Sequence, residues 1–336
     1  MATMQPSAGT DRGGLIAILN QYLGSLPKHS PAGLPLASKV KITEQAAQIP
    51  VGDGLWVSAT SGPTAFNIQL ADPVSGQTGF FGIIHEWDKP VLLATRLKVV
   101  SGMITEIENV IARDLREASL ANLKTPRPGL LADLPPNERT PRADMFRIAN
   151  SYFDAIEQDN GDLCPFADEC VRHENGLQTS LNKSPPRTGG IGDAFGPGVS
   201  EILAKLLALK TRDAMFSGGF AYITQIRPRH MVLCDEQKGI VYGFPRFVHR
   251  GELRKMKITG VPGVEELPFG FGPNDLQAAE MFKIRSGKVY EVEASGFINA
   301  YLAPTGWDEE YPETYAYELT HPRTNPRKPP NPSRYP

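Results

Sequence analysis

Apolar and polar residues follow two rhythms along this chain, and the same succession comes round twice. Between Leu15 and Leu26 the apolar positions Leu15, Ile18, Leu19, Tyr22 and Leu23 have the spacing of a helix with one buried face. Pro27 and the stretch from Pro31 to Pro35 end it. From Lys39 to Glu44 the period becomes two, with Val40 and Ile42 facing one way and Lys41 and Thr43 the other, as in a half-buried strand. Gly52 to Trp56 predicts a short helix or turn, and residues 66–70, 78–86 and 91–99 predict successive strands. Ser101-Gly102 turns the chain into a last strand, Met103 to Arg113. A helix followed by a meander of long antiparallel strands is an α+β pattern rather than an alternating βαβ one.

Residues 118–142 hold five prolines and little periodicity, and are expected to be a linker. Helical spacing resumes at Phe146, Ile148, Tyr152, Phe153 and Ile156, and a strand is expected over residues 168–174. Residues 183–198 form a glycine- and proline-rich insertion, expected to be a loop beside a pocket mouth. No Gly-Lys-Ser/Thr follows it, so it is not a phosphate loop. Residues 199–209 predict an amphipathic helix; 221–233, 240–249, 278–284 and 288–301 predict strands, with a second insertion at 251–275. Proline dominates from Pro304 onward, which suits a disordered tail or an arm laid over a neighbouring surface.

The two passages match without gaps over part of their length. At a fixed spacing of 130 residues, Ile18, Asn20, Tyr22, Pro35, Ala37, Glu44 and Gln48 fall on Ile148, Asn150, Tyr152, Pro165, Ala167, Glu174 and Gln178. Further on, Asp72, Gly76 and Phe81 fall on Asp235, Gly239 and Phe244. Lys98, Ser101, Gly102, Glu106 and Glu108 fall on Lys283, Ser286, Gly287, Glu291 and Glu293. A repeat in conserved order fixes architecture before any local reading. The expected organisation is a polar leader (1–14), a first copy (15–117), the linker (118–142), a second copy with both insertions (143–303) and the proline-rich arm (304–336).

Composition narrows the function classes. The length of 336 residues suits two domains, and a formal charge of −2 lacks the basic excess of a nucleic-acid binder. No apolar run is long enough for a membrane span, and residues 1–14 do not read as a secretory signal. Cys164, Cys170 and Cys234 match no zinc spacing and read as buried free thiols, consistent with a reducing cytoplasm. The six histidines are scattered, and neither a Gly-x-Ser-x-Gly elbow nor a dinucleotide fingerprint occurs. Neither a metal nor an organic cofactor is therefore expected.

Tyr152-Phe153-Asp154-Ala155, then Pro165-Phe166-Ala167-Asp168, then His173-Glu174-Asn175-Gly176 resembles the nuclear transport factor 2-like superfamily, also called SnoaL-like or ketosteroid isomerase-like. Gly287-Lys288-Val289 and Glu291-Val292-Glu293 are similar to its last two strands, and Thr43-Glu44-Gln45 and Gly102–Glu106 show the same features more faintly. The resemblance implies two tandem cone-shaped α+β barrels, each a curved antiparallel sheet wrapped around helices, with a pocket at the wide end. It also implies chemistry mostly without metal or organic cofactor: dehydratases, isomerases, epoxide hydrolases, cyclases and carbon–carbon lyases. Other members are binding or dimerisation modules, so the fold does not decide the activity. Members often pair through the outer sheet face; a homodimer is one expectation, and mutual covering of the two copies is another.

Comparison of the copies selects the candidate site. His173 stands opposite Thr43, His230 opposite Asn67, and Arg227 and Arg229 opposite Thr64 and Phe66, so ionisable residues are gained in the second copy. Glu174 is shared with Glu44 and lies on the interior face, where desolvation would prepare it for acid–base work or where it could simply cap backbone amides. His173, its neighbour, points to the opposite face unless a bulge intervenes. His249 is a candidate proton shuttle and His230 a further acid–base candidate. Arg227 and Arg229 are candidates to bind an anionic oxygen, or to make salt bridges with Asp235 or Glu236. Tyr222 is a candidate hydrogen-bond donor, with Tyr242 and Tyr290. Phe247 and Phe297, with Phe166 and Phe220, would form an apolar wall. Glu291 and Glu293, like Glu106 and Glu108, are assigned to fold or interface.

The expected function is a cofactor-independent lyase, of dehydratase or retro-aldol type, acting on a small oxygenated cyclic or aromatic molecule. An isomerase or epoxide hydrolase in the same pocket, and a non-catalytic tandem binding module, are the alternatives.

Overall fold

The computed structural model describes residues 10–186 and 198–308. Most of the leader, most of the 183–198 insertion and nearly all of the proline-rich arm therefore lie outside the described residues.

The first half runs α1 (Arg12–Ser25), β1 (Leu36–Glu44), β2 (Ala47–Gln48), α2 (Leu55–Ser58), β3 (Ala59–Ser61), β4 (Asn67–Asp72), β5 (Gln77–Glu86), β6 (Lys89–Val100) and β7 (Met103–Ala112). Asp11 caps α1 by accepting from the Gly14 amide at 2.8 Å, satisfying one of the helix's orphan donors. Two short helices follow, α3 (Glu117–Asn122) and α4 (Pro128–Leu131). The second half comprises α5 (Arg142–Glu157), β8 (Phe166–Glu174), β9 (Leu177–Gln178), α6 (Val199–Leu207), α7 (Thr211–Phe216), β10 (Gln225–Ile226), β11 (Met231–Asp235), β12 (Ile240–Gly243), β13 (Arg246–His249), β14 (Lys255–Lys257), β15 (Glu266–Pro268), β16 (Asn274–Arg285) and β17 (Lys288–Ala300).

The strands form two large sheets of matching order. The first is β2-β1-β7-β6-β5-β3, with β4 also on β5; the second is β10-β13-β16-β17-β8-β9, with β11 joined through β12 to β16. The counterpart of β5 is thus broken in two, at Pro245, which has no N–H to offer the ladder. Both sheets are mixed, not purely antiparallel: β1 pairs parallel with β7, and β8 parallel with β17. In each sheet the strand that follows the long helix lies beside the last long strand, with only a two-residue strand outside it.

Three other expectations are corrected. Residues 118–142 carry α3 and α4, and bury Leu123, Leu130 and Leu134, so this stretch is a packed connection. Residues 251–275 contain the β14–β15 hairpin, which joins α6 in a small core of Val199, Met256, Ile258, Val261, Val264 and Leu267. The strand expected over 221–233 is reduced to β10 and the start of β11, separated by Pro228 after a cis peptide bond.

Each sheet packs its inner face on its own helix. The first core gathers Leu15, Leu19, Tyr22 and Leu23 with Trp56, Phe80, Leu97 and Ile107; the second gathers Met145, Tyr152, Phe153 and Ile156 with Phe247, Phe282 and Val292. The outer faces cover one another. Phe66, Phe81, Ile83, Leu92 and Val110 form one cluster with Leu233, Tyr242, Phe244, Ala279 and Met281. A Cβ at Gly79 would come 3.0 Å from the Tyr242 ring, so the absent side chain admits the tyrosine. The chain then returns from the second sheet to the first. Trp307 is buried, its indole N–H donating to Thr43 Oγ1 at 3.0 Å, with Lys41 and Arg96 at 4.2 and 4.3 Å from the ring.

Candidate active site

Strand alternation decides which side chains of the second half meet on the inner face. On β8, Cys170, Arg172 and Glu174 point inward; on β16, Ala278, Glu280 and Phe282 do. Register places Glu280, Ala294 and Glu174 in one row across β16, β17 and β8. The two glutamates are therefore about 10 Å apart at Cα, two strand spacings, with inward side chains.

Arg172 lies beside this row. Its side chain is buried, ion-paired with Glu174, and rests on the Phe220 ring at 4.8 Å. Glu280 is fully surrounded by protein, and its carboxyl is pushed up to about 8, first by burial and then by the charge of Glu174, with Arg172 acting in the opposite direction. It is therefore largely protonated at neutral pH. The Tyr152 hydroxyl belongs to the same charge cluster and is held neutral by burial. Glu280 Oε2 and Arg172 Nε have no hydrogen-bond partner among the described residues. Buried polar atoms are rarely left in that condition.

The first half is an internal control. At the same helix-side positions, Ile42 stands for Arg172 and Thr95 for Glu280. The remaining polar groups there answer one another. Thr95 donates to Asn109 at 2.5 Å, and the Asn109 amide donates to the Tyr22 hydroxyl at 2.9 Å. Glu44 accepts from the Leu55 amide at 3.0 Å, while Glu86 is held by Arg113 at 2.6 Å and by Ser58 at 2.6 Å. At these inner-face positions the first half is satisfied, whereas the second leaves Glu280 Oε2 and Arg172 Nε without a partner among the described residues.

Glu174 lies in the cluster, at the end of β8, with its side chain half exposed at the rim. Tyr222 lies beside it and feels the charges of Glu174 and Arg172. Phe247 is in the inner wall against Phe153. His249 shares the inner face but sits at the far end of β16, opposite Asn274.

The other candidates are elsewhere. His173 faces outward, as alternation required; burial first, then Arg127 and Arg172, push its imidazole down to about 3. His230 lies between the halves, 3.6 Å from Glu108 and near Trp307. Arg229 is held by Asp154 at 2.7 Å and Glu157 at 3.1 Å, and Arg227 by Glu157 at 3.3 Å. These are salt bridges to α5, not to Asp235 or Glu236. Phe297 packs toward the cluster between the sheets. Glu291 and Glu293 are answered by Arg127 at 2.5 and 2.7 Å, from the connection between the halves.

Arg172 and Glu280 were not singled out from the sequence, although the spacing of 130 residues sets Arg172 against Ile42 and that of 185 residues sets Glu280 against Thr95. Among the described residues, no three His, Cys, Asp or Glu side chains gather to hold a metal, and no helix is long and apolar enough to cross a membrane.

A family model described as "Domain of unknown function (DUF8021)" matches residues 138–296, which span α5 to the middle of β17 and contain the whole cluster. No curated protein matches the chain. Among solved structures, AclR, a hydroxylase candidate from Streptomyces galilaeus, is similar at 14% identity over 47% of this chain and 81% of its own, with a TM-score of 0.26. The epoxide hydrolase/cyclase-like enzyme SalBIII, of pyran ring formation in the polyether salinomycin, is similar at 11% identity over 48% of this chain and 98% of its own, with a TM-score of 0.24.

Proposed function

We propose that the chain is two copies of one unit, the first structural and the second a cofactor-independent lyase of dehydratase type, acting on a small oxygenated cyclic or aromatic molecule. The observation that carries this reading is Arg172: a buried guanidinium between an ion-paired rim carboxylate, Glu174, and a buried neutral one, Glu280, in the second half alone. Two carboxyl groups whose surroundings differ this much divide acid and base roles between them.

In this mechanism Glu174 removes a proton from the carbon next to a substrate carbonyl. Arg172 balances the charge that develops on the carbonyl oxygen. The electron pair forms the new carbon–carbon double bond as the β carbon–oxygen bond breaks, and Glu280 gives its proton to the departing hydroxyl, which leaves as water. Glu174 then releases its proton at the half-exposed rim, and Glu280 regains one from solvent. Phe220, Phe166 and Phe247 limit water around the reacting centre.

The test separates the two steps. Purified protein is screened by native mass spectrometry against cyclic β-hydroxy ketones, and binders are incubated in D2O and followed by NMR. Exchange of the α proton that disappears in Glu174→Gln, together with water loss that disappears in Glu280→Gln while exchange persists, is the expected result. Binding without exchange in the unaltered protein would replace the lyase with a binding module.

A further inference from the structure

His249 is outside the chemistry just described, and its surroundings are unusual. Its position is 93% buried by fractional exposure (7% exposed), on the same inner face as Phe247. Nδ1 lies 2.8 Å from Asn274 Oδ1, and the Asn274 amide nitrogen donates to the Gly272 carbonyl at 2.8 Å, which fixes the amide's orientation. Nδ1 therefore carries the proton and Nε2 the lone pair. That Nε2 has no hydrogen-bond partner among the described residues. Burial, opposed by the Asn274 hydrogen bond, lowers the imidazole's pKa and keeps the ring neutral at physiological pH.

The first half again supplies the control. At the spacing that relates Phe81 to Phe244, the counterpart of His249 is Glu86, which is fully answered by Arg113 and Ser58. The position corresponding to Arg113 on β17 is Ile298, so the second half has no such cation there and the buried acceptor is unanswered among the described residues. An aromatic surface adjoins it: Tyr222 lies 5.1 Å from the His249 ring and stacks on Phe269 at 4.3 Å, with Phe271 4.9 Å beyond.

Register sets the distance from the reacting groups. Asn274, opposite His249, is six positions from Glu280 along β16. Six residues of strand are about 20 Å, and Tyr222 lies between the two ends: its ring is 5.1 Å from that of His249, and its hydroxyl feels the charges of Glu174 and Arg172. One reacting carbon cannot touch both groups, whereas a flat molecule two rings long can.

We propose that His249 is a specificity residue whose Nε2 accepts a hydrogen bond from a hydroxyl at the far end of an elongated, flat, aromatic substrate lying along Tyr222. This rests on the reading of the Arg172 cluster as the reacting end of the same pocket.

The experiment uses a matched pair of probes on the full chain, 4′-hydroxybiphenyl-4-carboxylate and biphenyl-4-carboxylate, measured by isothermal titration calorimetry. The carboxylate addresses Arg172 and the hydroxyl addresses His249. The hydroxylated probe is expected to bind about tenfold tighter to the unaltered protein, and the ratio to fall to about one in His249→Phe. Asn274→Ala, which frees the tautomer without removing the ring, should reduce the ratio as well, and this second variant serves if the first does not fold. Equal affinities in the unaltered protein, or a preference that survives His249→Phe, overturn the inference while leaving the Arg172 pocket standing. Failure of both probes to bind at millimolar concentration overturns both readings.

Discussion

Asp72 and Asp235 each serve the half of the chain to which they do not belong. Asp72 accepts from the Cys234 amide at 2.9 Å and from Arg142 at 2.6 Å, while Asp235 accepts from the Ala71 amide at 3.0 Å and from Arg12 at 2.7 Å. Arg12 and Arg142 are themselves separated by the repeat spacing. The exchange is reciprocal down to the backbone donors, as at a two-fold interface between identical subunits.

Removing either carboxylate leaves a buried amide unanswered and a three-quarters-buried arginine without its closest carboxylate, although Arg142 keeps Glu236 at 3.7 Å. Asp72→Ala and Asp235→Ala should each cost about 2–4 kcal/mol, by analogy with breaking a partly buried pair. Urea denaturation checks both, and markedly unequal losses would show that the two sites are not equivalent.

Glu280 makes stability depend on pH in a known direction. Its folded value, about 8, exceeds the roughly 4.3 of an unfolded glutamate, so the folded state binds the proton more tightly and stability falls as pH rises across that window. Glu280→Gln, which cannot ionise, should be less sensitive than the unaltered protein between pH 5 and 8.5. It should also melt higher at pH 8.5, while turnover drops about 100-fold or more. Glu293, pushed up to about 7 by burial against the opposing pull of Arg127, contributes a residual slope of the same sign.

His173 and Glu174 are adjacent in sequence and opposite in consequence. His173 has its folded value pushed down to about 3 from an ordinary 6.5, so the stability linked to its neutral form is lost as pH falls from about 6.5 toward 3. His173→Gln should retain turnover and gain relative stability at pH 4.5, whereas Glu174→Gln should lose turnover. Loss of turnover in both would contradict the strand orientation.

Trp307 joins the end of the described chain to the first sheet. Trp307→Ala should cost about 3–5 kcal/mol, the range for removing a fully buried large aromatic side chain. Hydrogen exchange near Lys41–Glu44 should rise with it, since Thr43 loses its indole partner.

The helices and most strands were legible because one of their faces is buried and periodicity records it: α1, α5, β4 to β7, β8 and β17 all lie within a few residues of where the pattern puts them. The parallel pairing of β1 with β7 was not legible, since side-chain alternation carries no information about strand direction. The short helices at 117–131 were hidden by their prolines, one of which, Pro128, opens α4 at the helix start, where it is tolerated. Of the candidate site, Glu174, Tyr222, Phe247 and His249 lie on or beside the inner face, while Arg229, His230 and His173 were attractive for their charge alone and belong to salt bridges or to the outer face. Arg172 escaped notice because a charged residue inside an alternating strand reads as solvent-facing. Only its stand-in, Ile42, reveals the direction in which it points.

The mutual covering of the two sheets also bears on how this protein responds to dilution. Where separate subunits meet through such a face, lowering the concentration pulls them apart and uncovers apolar surface. Here a peptide chain holds the two faces together, so dilution into the nanomolar range should not uncover the apolar surface between them.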